Sequence, residues 1–290
     1  MNMCWVYGDL ETMLLEKLRR EYHTELTKHV LSIDKKSIPN NADRHSKISV
    51  SLARGILEAM NLDISKAENV GQTAGKEFER TTSTFLEKAF EHLNHLRYGK
   101  YRFFIGKSID MFEQYEHLAI LDDALNKNKD LRTILGDYII HPDIVIGRLP
   151  IDDDEINAMK NIVNKNELAS LTPLRSANSQ KFILHASISC KWTIRSDRSQ
   201  NARTEGLNLI RNRKGHTPHI AIVTGEPYPN RIASLALGTG DIDCVYHFAL
   251  NELIFAAKKF GSDPVVDILD TMVGGKRLRD ISDLPFDLLM

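Results

Sequence analysis

In the first third of the chain, apolar side chains recur every three or four positions, the spacing of helices that bury one face. Leu14, Leu18 and Tyr22 share such a face. A polar segment rich in asparagine and aspartate then interrupts the pattern, which predicts a loop. The elements predicted here are a helix from Asp9 to about Ile33, a loop over 34–47, and helices over 48–60 and 75–96.

The middle of the chain changes to short runs of β-branched and aromatic residues bounded by turns, which predict strands. Strands that alternate with helices indicate an α/β fold, here a central mixed β-sheet flanked by helices, with a helical N-terminal part. Neither repeats nor an obvious linker interrupt it, so we expect a single domain over 1–290. The predicted strands are 101–105, 138–148 with an interruption near Pro142, 182–191, 219–224 and 242–248, and the predicted helices are 111–125, 153–164, 199–214, 231–237, 250–260 and 264–272.

Composition and charge narrow the class of protein. Hydrophobic residues make up 42% of the 290 residues, enough for a full core, and the net charge is -1. From Arg175 to Arg231, however, ten Lys/Arg stand against three Asp/Glu, a local balance of +7. A neutral protein with one basic segment favours a specific polyanion over indiscriminate binding. Three separated cysteines and no long apolar stretch predict a cytoplasmic protein that does not enter the membrane.

The apolar run 182–188 predicts a buried strand that ends in Ser189, Cys190 and Lys191. A lysine at the end of a buried strand is well placed for a cleft. Ser189 and Lys191 are two residues apart and share one face of the sheet, whereas Cys190 points to the other face as a small buried hydrophobe. The competing interpretation is an ordinary surface lysine.

Carboxylates lie where a helix or strand could bring them to this lysine. Asp143 opens another predicted strand, and Glu205 lies about two turns into the helix after Lys191. Hydrolysis of a phosphodiester needs a metal held by carboxylates, an activated water and charge relief at phosphorus. We expect Asp143 and Glu205 to bind Mg²⁺, about two ions per active site, and Lys191 to orient or deprotonate the water. Glu79 is a further candidate carboxylate, and Cys190 is counted among the metal-binding residues.

Arg195, Asp197 and Arg198 form a compact cluster just after Lys191. An arginine fork matches the major-groove edge of guanine, and a carboxylate accepts from the amino group of cytosine. Because phosphates repel a carboxylate, Asp197 indicates base selection rather than backbone binding. The structural alternatives are a local salt-bridged turn for this cluster, a strand-edge turn for Asp143 and a solvated helix position for Glu79.

Together these residues resemble a known family, the PD-(D/E)XK nucleases, in which an aspartate and a distant lysine form the motif. Ser189 stands where the second acid of the motif is expected, and Glu205 on the next helix resembles the displaced acid of restriction endonucleases that read CCGG-centred sites. The resemblance implies the restriction-endonuclease-like fold. It also implies Mg²⁺-dependent type II cleavage of double-stranded DNA at a palindrome, expected to be GCCGGC, leaving 5′ overhangs.

The resemblance also implies a role for each residue. A homodimer or a homotetramer built from two dimers is expected on the palindrome. The catalytic residues would be Asp143, Lys191, Glu205, Ser189 and Glu79. The base-reading residues would be Arg195, Asp197 and Arg198 for the inner CC:GG half-site, Arg231 for the outer guanine, Asp43 for the outer cytosine, and Gln72 for the outer pair from the minor groove.

Two other functions remain open on the sequence. A DNA-binding protein without catalysis would use the basic segment alone. A structure-specific repair nuclease would share Asp143 and Lys191 but would not need the arginine and aspartate cluster. Metal-dependent cutting at discrete sites distinguishes the restriction endonuclease from both.

Overall fold

A computed structural model of the chain describes residues 13–62, 71–128, 130, 133, 139–164, 168–238 and 240–290, except the side chains of 71, 72 and 196–199. The N-terminal part is helical, as predicted. Ser46 accepts from the backbone N–H of Ser49 and so caps the second helix, which ends at Asn61 in the left-handed conformation. The helices of this part are α1 (Leu14–His29), α2 (Lys47–Met60) and α3 (Gly71–Leu93).

The described residues form one six-stranded sheet whose strands are neighbours in chain order. The first three strands are antiparallel and the last four are mutually parallel, so the sheet is mixed, as predicted. The strands are β1 (Tyr101–Ile105), β2 (Ile144–Arg148), β3 (Ile183–Lys191), β4 (His219–Thr224), β5 (Cys244–His247) and β6 (Leu278–Asp280).

Helices lie on both faces of this sheet and cover an apolar core on each. Ile144, Ile188 and Cys190 belong to the larger core, together with residues of α1, α2 and α3. Val145 and Leu184 belong to a smaller core on the other face. The remaining helices are α4 (His117–Lys127), α5 (Asp153–Ile156), α6 (Ser196–Asn212), α7 (Pro229–Ala236), α8 (Leu250–Phe260), α9 (Asp263–Gly274) and α10 (Leu284–Asp287).

None of the helices in the described part of the chain combines the length and the apolarity needed to cross a bilayer.

The strand predicted over 138–148 was wrong at its start, since β2 begins at Ile144. Pro142 lacks a backbone N–H and restricts the residue before it, so the preceding chain does not join the ladder. Tyr138 lies outside the described residues. Because the strand starts late, Asp143 is the residue immediately before its first member.

Two predicted helices were too long because side chains compete with the helical pattern. The helix over 153–164 ends at Ile156, where the Asn157 side chain bonds the backbone of Ile162 and Val163 and turns the chain. The helix over 111–125 begins only at His117. The Gln114 side chain before it pairs with both backbone groups of a β3 residue, which holds that stretch in short 3₁₀ turns.

The first helix also differed from its prediction. It ends at His29, because the N–H groups of Val30 and Leu31 both return to the carbonyl of Leu26. Its predicted start at Asp9 lies outside the described residues. The strand β6 was missed because a run of three residues carries no periodicity.

Arg19 links α1 to β6, the last strand of the sheet, and to α8. Its guanidinium donates to both oxygens of Asp280 at 2.8 Å and to both oxygens of Glu252 at 2.9 and 2.7 Å. Asp280 on β6 also accepts from the backbone N–H of Leu250 at 3.0 Å. These largely buried groups form a charge network in which a single arginine pairs with two carboxylates.

We predict that Arg19→Met lowers the free energy of unfolding by about 3 kcal/mol, because it leaves two buried carboxylates without their cation. The matched control is Arg20→Met on the same helix, where the arginine pairs only with the exposed Glu16. That change should have little effect, as for most surface ion pairs. Urea unfolding measures both variants, and equal losses of stability would contradict the assignment.

Candidate active site

The antiparallel pairing of β2 and β3 brings Asp143 to Lys191. Ile144 lies opposite Ile188, so Asp143, one residue earlier, lies beside the last residues of β3. Its Oδ2 accepts from the backbone N–H of Cys190 at 2.7 Å and from Nζ of Lys191 at 3.0 Å. Both side chains are largely shielded, 24% and 16% exposed, so the charge pair is weakly screened by water.

Glu205 reaches the same place from α6. Oγ of Ser189 donates to its Oε2 at 3.1 Å, across sixteen positions of sequence. Ser189 lies on the same side of β3 as Lys191, as the alternation of a strand requires. The hydroxyl of Ser189 therefore holds the carboxylate of Glu205 directly.

Glu79 approaches from α3 and completes a group of three carboxyls around Lys191. Burial and, to a smaller extent, the negative charge of Asp143 raise its pKa to about 7, against the opposing effects of Lys191 and Lys76. Burial also raises the pKa of Glu205, with Asp143 adding to the effect and Lys191 and Ser189 opposing it. Burial lowers the pKa of Lys191, but Asp143 and Glu205 outweigh it, so the net pKa is raised and the ammonium stays charged.

The donor set fits a divalent cation of the Mg²⁺ type. Within the described residues no group of three or more His, Cys, Asp or Glu forms a ready cage. Mg²⁺ does not require one, because it keeps several waters and is bound by one or two carboxylates together with phosphate oxygens. Asp143 and Glu205 offer such oxygens, and the pKa of Glu205 is raised mainly by burial, a penalty on the carboxylate that a bound cation would offset.

The thiol of Cys190 does not belong to this oxygen cluster. It lies in the larger core on the other side of β3 and bonds with Thr82. Burial raises the pKa of Cys190 well above its usual value, so the thiol stays protonated. The thiol therefore does not fit the predicted metal role of Cys190, which would fall to the backbone carbonyl oxygen. The backbone N–H of Cys190 already donates to Asp143.

The predicted inner reading residues lie at the start of α6. Trp192, just after β3, is buried and packs edge-on against Phe78 with ring centroids 5.0 Å apart, which fixes where the chain leaves the sheet. Arg195 is exposed and immediately precedes the helix. Asp197 and Arg198 lie in its first turn, and their side chains are outside the described residues.

The two predicted outer reading residues meet, although 188 positions separate them. Nη2 of Arg231 on α7 bonds Oδ2 of Asp43 in the early polar loop. The backbone N–H of His45 and the guanidinium of Arg231 both lower the pKa of Asp43. An arginine beside an aspartate matches the adjacent acceptors of guanine and amino donor of cytosine in one G:C pair. The side chain of Gln72 lies outside the described residues.

Sequence reasoning missed Glu226, which is fully buried behind Arg231. It follows β4, the parallel neighbour of β3, so the side chains at both strand ends could have been expected to meet. Burial raises the pKa of Glu226 to about 7, against backbone hydrogen bonds and Arg231, which lower it. Arg203, in the basic segment, is held by the protein itself. It bonds Asp241 at 2.7 Å.

Similarity to known sequences shows the family of this chain. The sequence model described as "NgoMIV restriction enzyme" matches residues 22–290. The type II restriction enzyme NgoMIV of Neisseria gonorrhoeae is 46% identical over 282 residues, which cover 95% of this chain and 98% of that protein. A solved PspGI restriction endonuclease–substrate DNA complex has a TM-score of 0.31 and 17% identity, covering 95% of this chain and 91% of that chain. The last similarity is too weak to support any argument.

A match over this length, at nearly half identity, indicates common descent, and the cluster of Asp143, Lys191 and Glu205 lies inside the matched region. The chain therefore belongs to the NgoMIV family of type II restriction endonucleases.

Proposed function

We propose that the chain, as a single domain, hydrolyses double-stranded DNA at GCCGGC in a Mg²⁺-dependent reaction that leaves 5′ CCGG overhangs. The observation that carries the proposal is the contact between Nζ of Lys191 and Oδ2 of Asp143 at 3.0 Å, with Glu205 held beside it by Ser189. Two carboxylates and an ammonium in one cleft supply what phosphodiester hydrolysis needs.

The reaction is an in-line attack of water on phosphorus. The new bond joins the water oxygen to phosphorus, and the bond from phosphorus to the 3′ oxygen breaks, leaving a 5′ phosphate and a 3′ hydroxyl. Lys191 donates hydrogen bonds to the water and to the phosphate, on which negative charge accumulates. Asp143 holds that ammonium in place. Ser189 keeps Glu205 turned into the cleft, and Glu79 adds a third carboxyl.

Asp143 and Glu205 would hold the Mg²⁺, two ions per active site, with the backbone carbonyl of Cys190 as a further oxygen donor. The metal supplies Lewis-acid stabilisation of the phosphate charge and an acidified water. Burial, with a smaller effect of the charge of Asp143, raises the pKa values of Glu79 and Glu205, and a bound cation would offset that penalty on the carboxylates, which favours metal-dependent chemistry at this cleft.

Recognition is proposed to divide between two sets of residues. Arg195, Asp197 and Arg198 read the inner CC:GG half-site, whereas Arg231 and Asp43 read the outer G:C pair, with Gln72 contacting it from the minor groove. A palindrome presents the same half-site to two subunits, so a homodimer is the smallest complete assembly, and a homotetramer would engage two sites.

Incubation of the purified protein with plasmid DNA and Mg²⁺, followed by sequencing of the new ends, tests the function. The proposal predicts discrete fragments whose ends all lie at GCCGGC with four-nucleotide 5′ overhangs. Binding without cutting would favour a catalytically silent DNA-binding protein. Nicks that follow DNA structure rather than sequence would favour a repair nuclease.

We predict that Asp143→Asn and Lys191→Ala each lower the cleavage rate at least about a thousandfold, because the site loses a charge that acts in the transition state. Asparagine retains an oxygen that can accept from the N–H of Cys190, so the fold at the end of β3 should persist. Binding to a GCCGGC duplex, measured without Mg²⁺, should survive in both variants. Cleavage at the wild-type rate in either one would remove the catalytic assignment.

We predict that Ser189→Ala lowers the cleavage rate about tenfold, the effect of one hydrogen bond to a charged group. Glu205 would lose the contact that turns it into the cleft, but no charge would be removed. Raising the Mg²⁺ concentration should restore part of the rate, because a loosely held carboxylate weakens metal binding first. An unchanged rate at low Mg²⁺ concentration would show that Glu205 does not depend on Ser189.

A further inference from the structure

Glu226 is a buried carboxyl that joins two segments of backbone. Its side chain is fully shielded from water. Oε2 accepts from the N–H of Ile194 at 2.9 Å, and Oε1 accepts from the N–H of Tyr228 at 3.2 Å. The two donors come from different connections, one after β3 and one after β4. A single side chain therefore fixes the spacing between these connections.

Each of the two connections carries predicted base-reading residues. Ile194 immediately precedes Arg195, which is the last residue before α6. Tyr228 immediately precedes α7, on which Arg231 lies. Nη1 of Arg231 is also 3.9 Å from Oε2 of Glu226. The carboxyl thus contacts the segment of the inner reading residues and the guanidinium of an outer reading residue at once.

The backbone around Glu226 is tightly held, so its carboxyl has little freedom to move independently. The N–H of Gly225 donates to the carbonyl of Lys191 at 3.1 Å, and the amide of Asn41 donates to the carbonyl of Gly225 at 2.8 Å. A Cβ at Gly225 would come within 2.3 Å of Trp192, so only glycine allows this approach. Asn41 belongs to the same loop as Asp43. Its hydrogen bond to Gly225 therefore also holds the loop of this proposed outer reading residue next to Glu226.

We propose that Glu226 is a positioning residue for base recognition, which sets the inner reading residues in register with Arg231 and Asp43 on the DNA. The inference rests on the proposed function, because it requires that these residues read a CCGG-centred site. A carboxylate is costly to bury, and an apolar side chain of similar size would fill the space at lower cost. A carboxylate beside Arg231 is explained when its charge orients the guanidinium, which must donate two hydrogen bonds to guanine.

The test is Glu226→Gln, which keeps the shape. The amide has one accepting oxygen, so either Ile194 or Tyr228 loses its acceptor, and Arg231 loses a negative neighbour. Affinity is measured without Mg²⁺ for duplexes bearing GCCGGC, GTCGAC with an altered inner pair, and ACCGGT with an altered outer pair. We expect the preference for GCCGGC over each of the other two to fall about tenfold, the effect of one bidentate base contact.

Two comparison variants separate positioning from general loosening of the fold. Glu252→Gln makes the same amide replacement of a largely buried carboxylate paired with an arginine, Arg19, but on α8, away from Ile194 and Tyr228, and it should keep both preferences. Arg231→Ala should lose the outer preference alone. Should Glu226→Gln fail to fold by circular dichroism, Glu226→Asp keeps the charge but is too short to reach both N–H groups, and the same loss is expected.

Unchanged preferences in the Glu226 variant would overturn the inference, as would an equal loss of affinity for all three duplexes, which marks a purely structural residue. Loss of the outer preference alone would also overturn it, because Glu226 would then serve only Arg231. A wild-type protein without preference for GCCGGC would instead overturn the proposed function itself, and the positioning role with it. The wild-type and variant measurements thus fail in distinguishable ways.

Discussion

A single carboxylate oxygen, Oδ2 of Asp143, receives the backbone N–H of Cys190 and the ammonium of Lys191, and the cleft is built around these two contacts. They exist because β2 begins where β3 ends, as antiparallel neighbours require. The alternation of β3 then sends Ser189 toward Glu205 and the thiol of Cys190 into the core. Adjacent residues of one strand therefore differ in role, because Ser189 faces the cleft and Cys190 packs in the core.

The residues proposed to read the DNA bases are positioned by the same end of β3. Buried Trp192 fixes the exit of the chain from β3, and α6 begins four residues after it with Arg195 exposed at the boundary. The parallel strand β4 ends alongside and contributes Glu226, whose carboxyl holds both connections. A fold that places the proposed cutting and reading groups on adjacent ends of two strands would couple base selection to the position of the scissile phosphate.

Much of the fold and site followed from local sequence patterns. The strand β1 and the helix Leu250–Phe260 were predicted with their observed bounds, since their periodicity agrees with their packing. The failures lay where one side chain overrides its neighbours, as Asn157 does by turning the chain. In the site, strand alternation predicted that Ser189 and Lys191 share a face. Glu226 could not be found that way, because its importance arises from a donor thirty-two positions away, Ile194, and from burial, which no local pattern records.

The most direct test of the central claim is a crystal structure of the protein with a GCCGGC duplex and Ca²⁺, which occupies an oxygen site and allows the DNA to stay intact. The account predicts a cation bound by Asp143 and Glu205 beside the phosphate between the first G and the first C. Lys191 should lie within hydrogen-bond distance of that phosphate or of a water next to it. A scissile phosphate bound at another surface, with these three side chains facing solvent, would contradict the account.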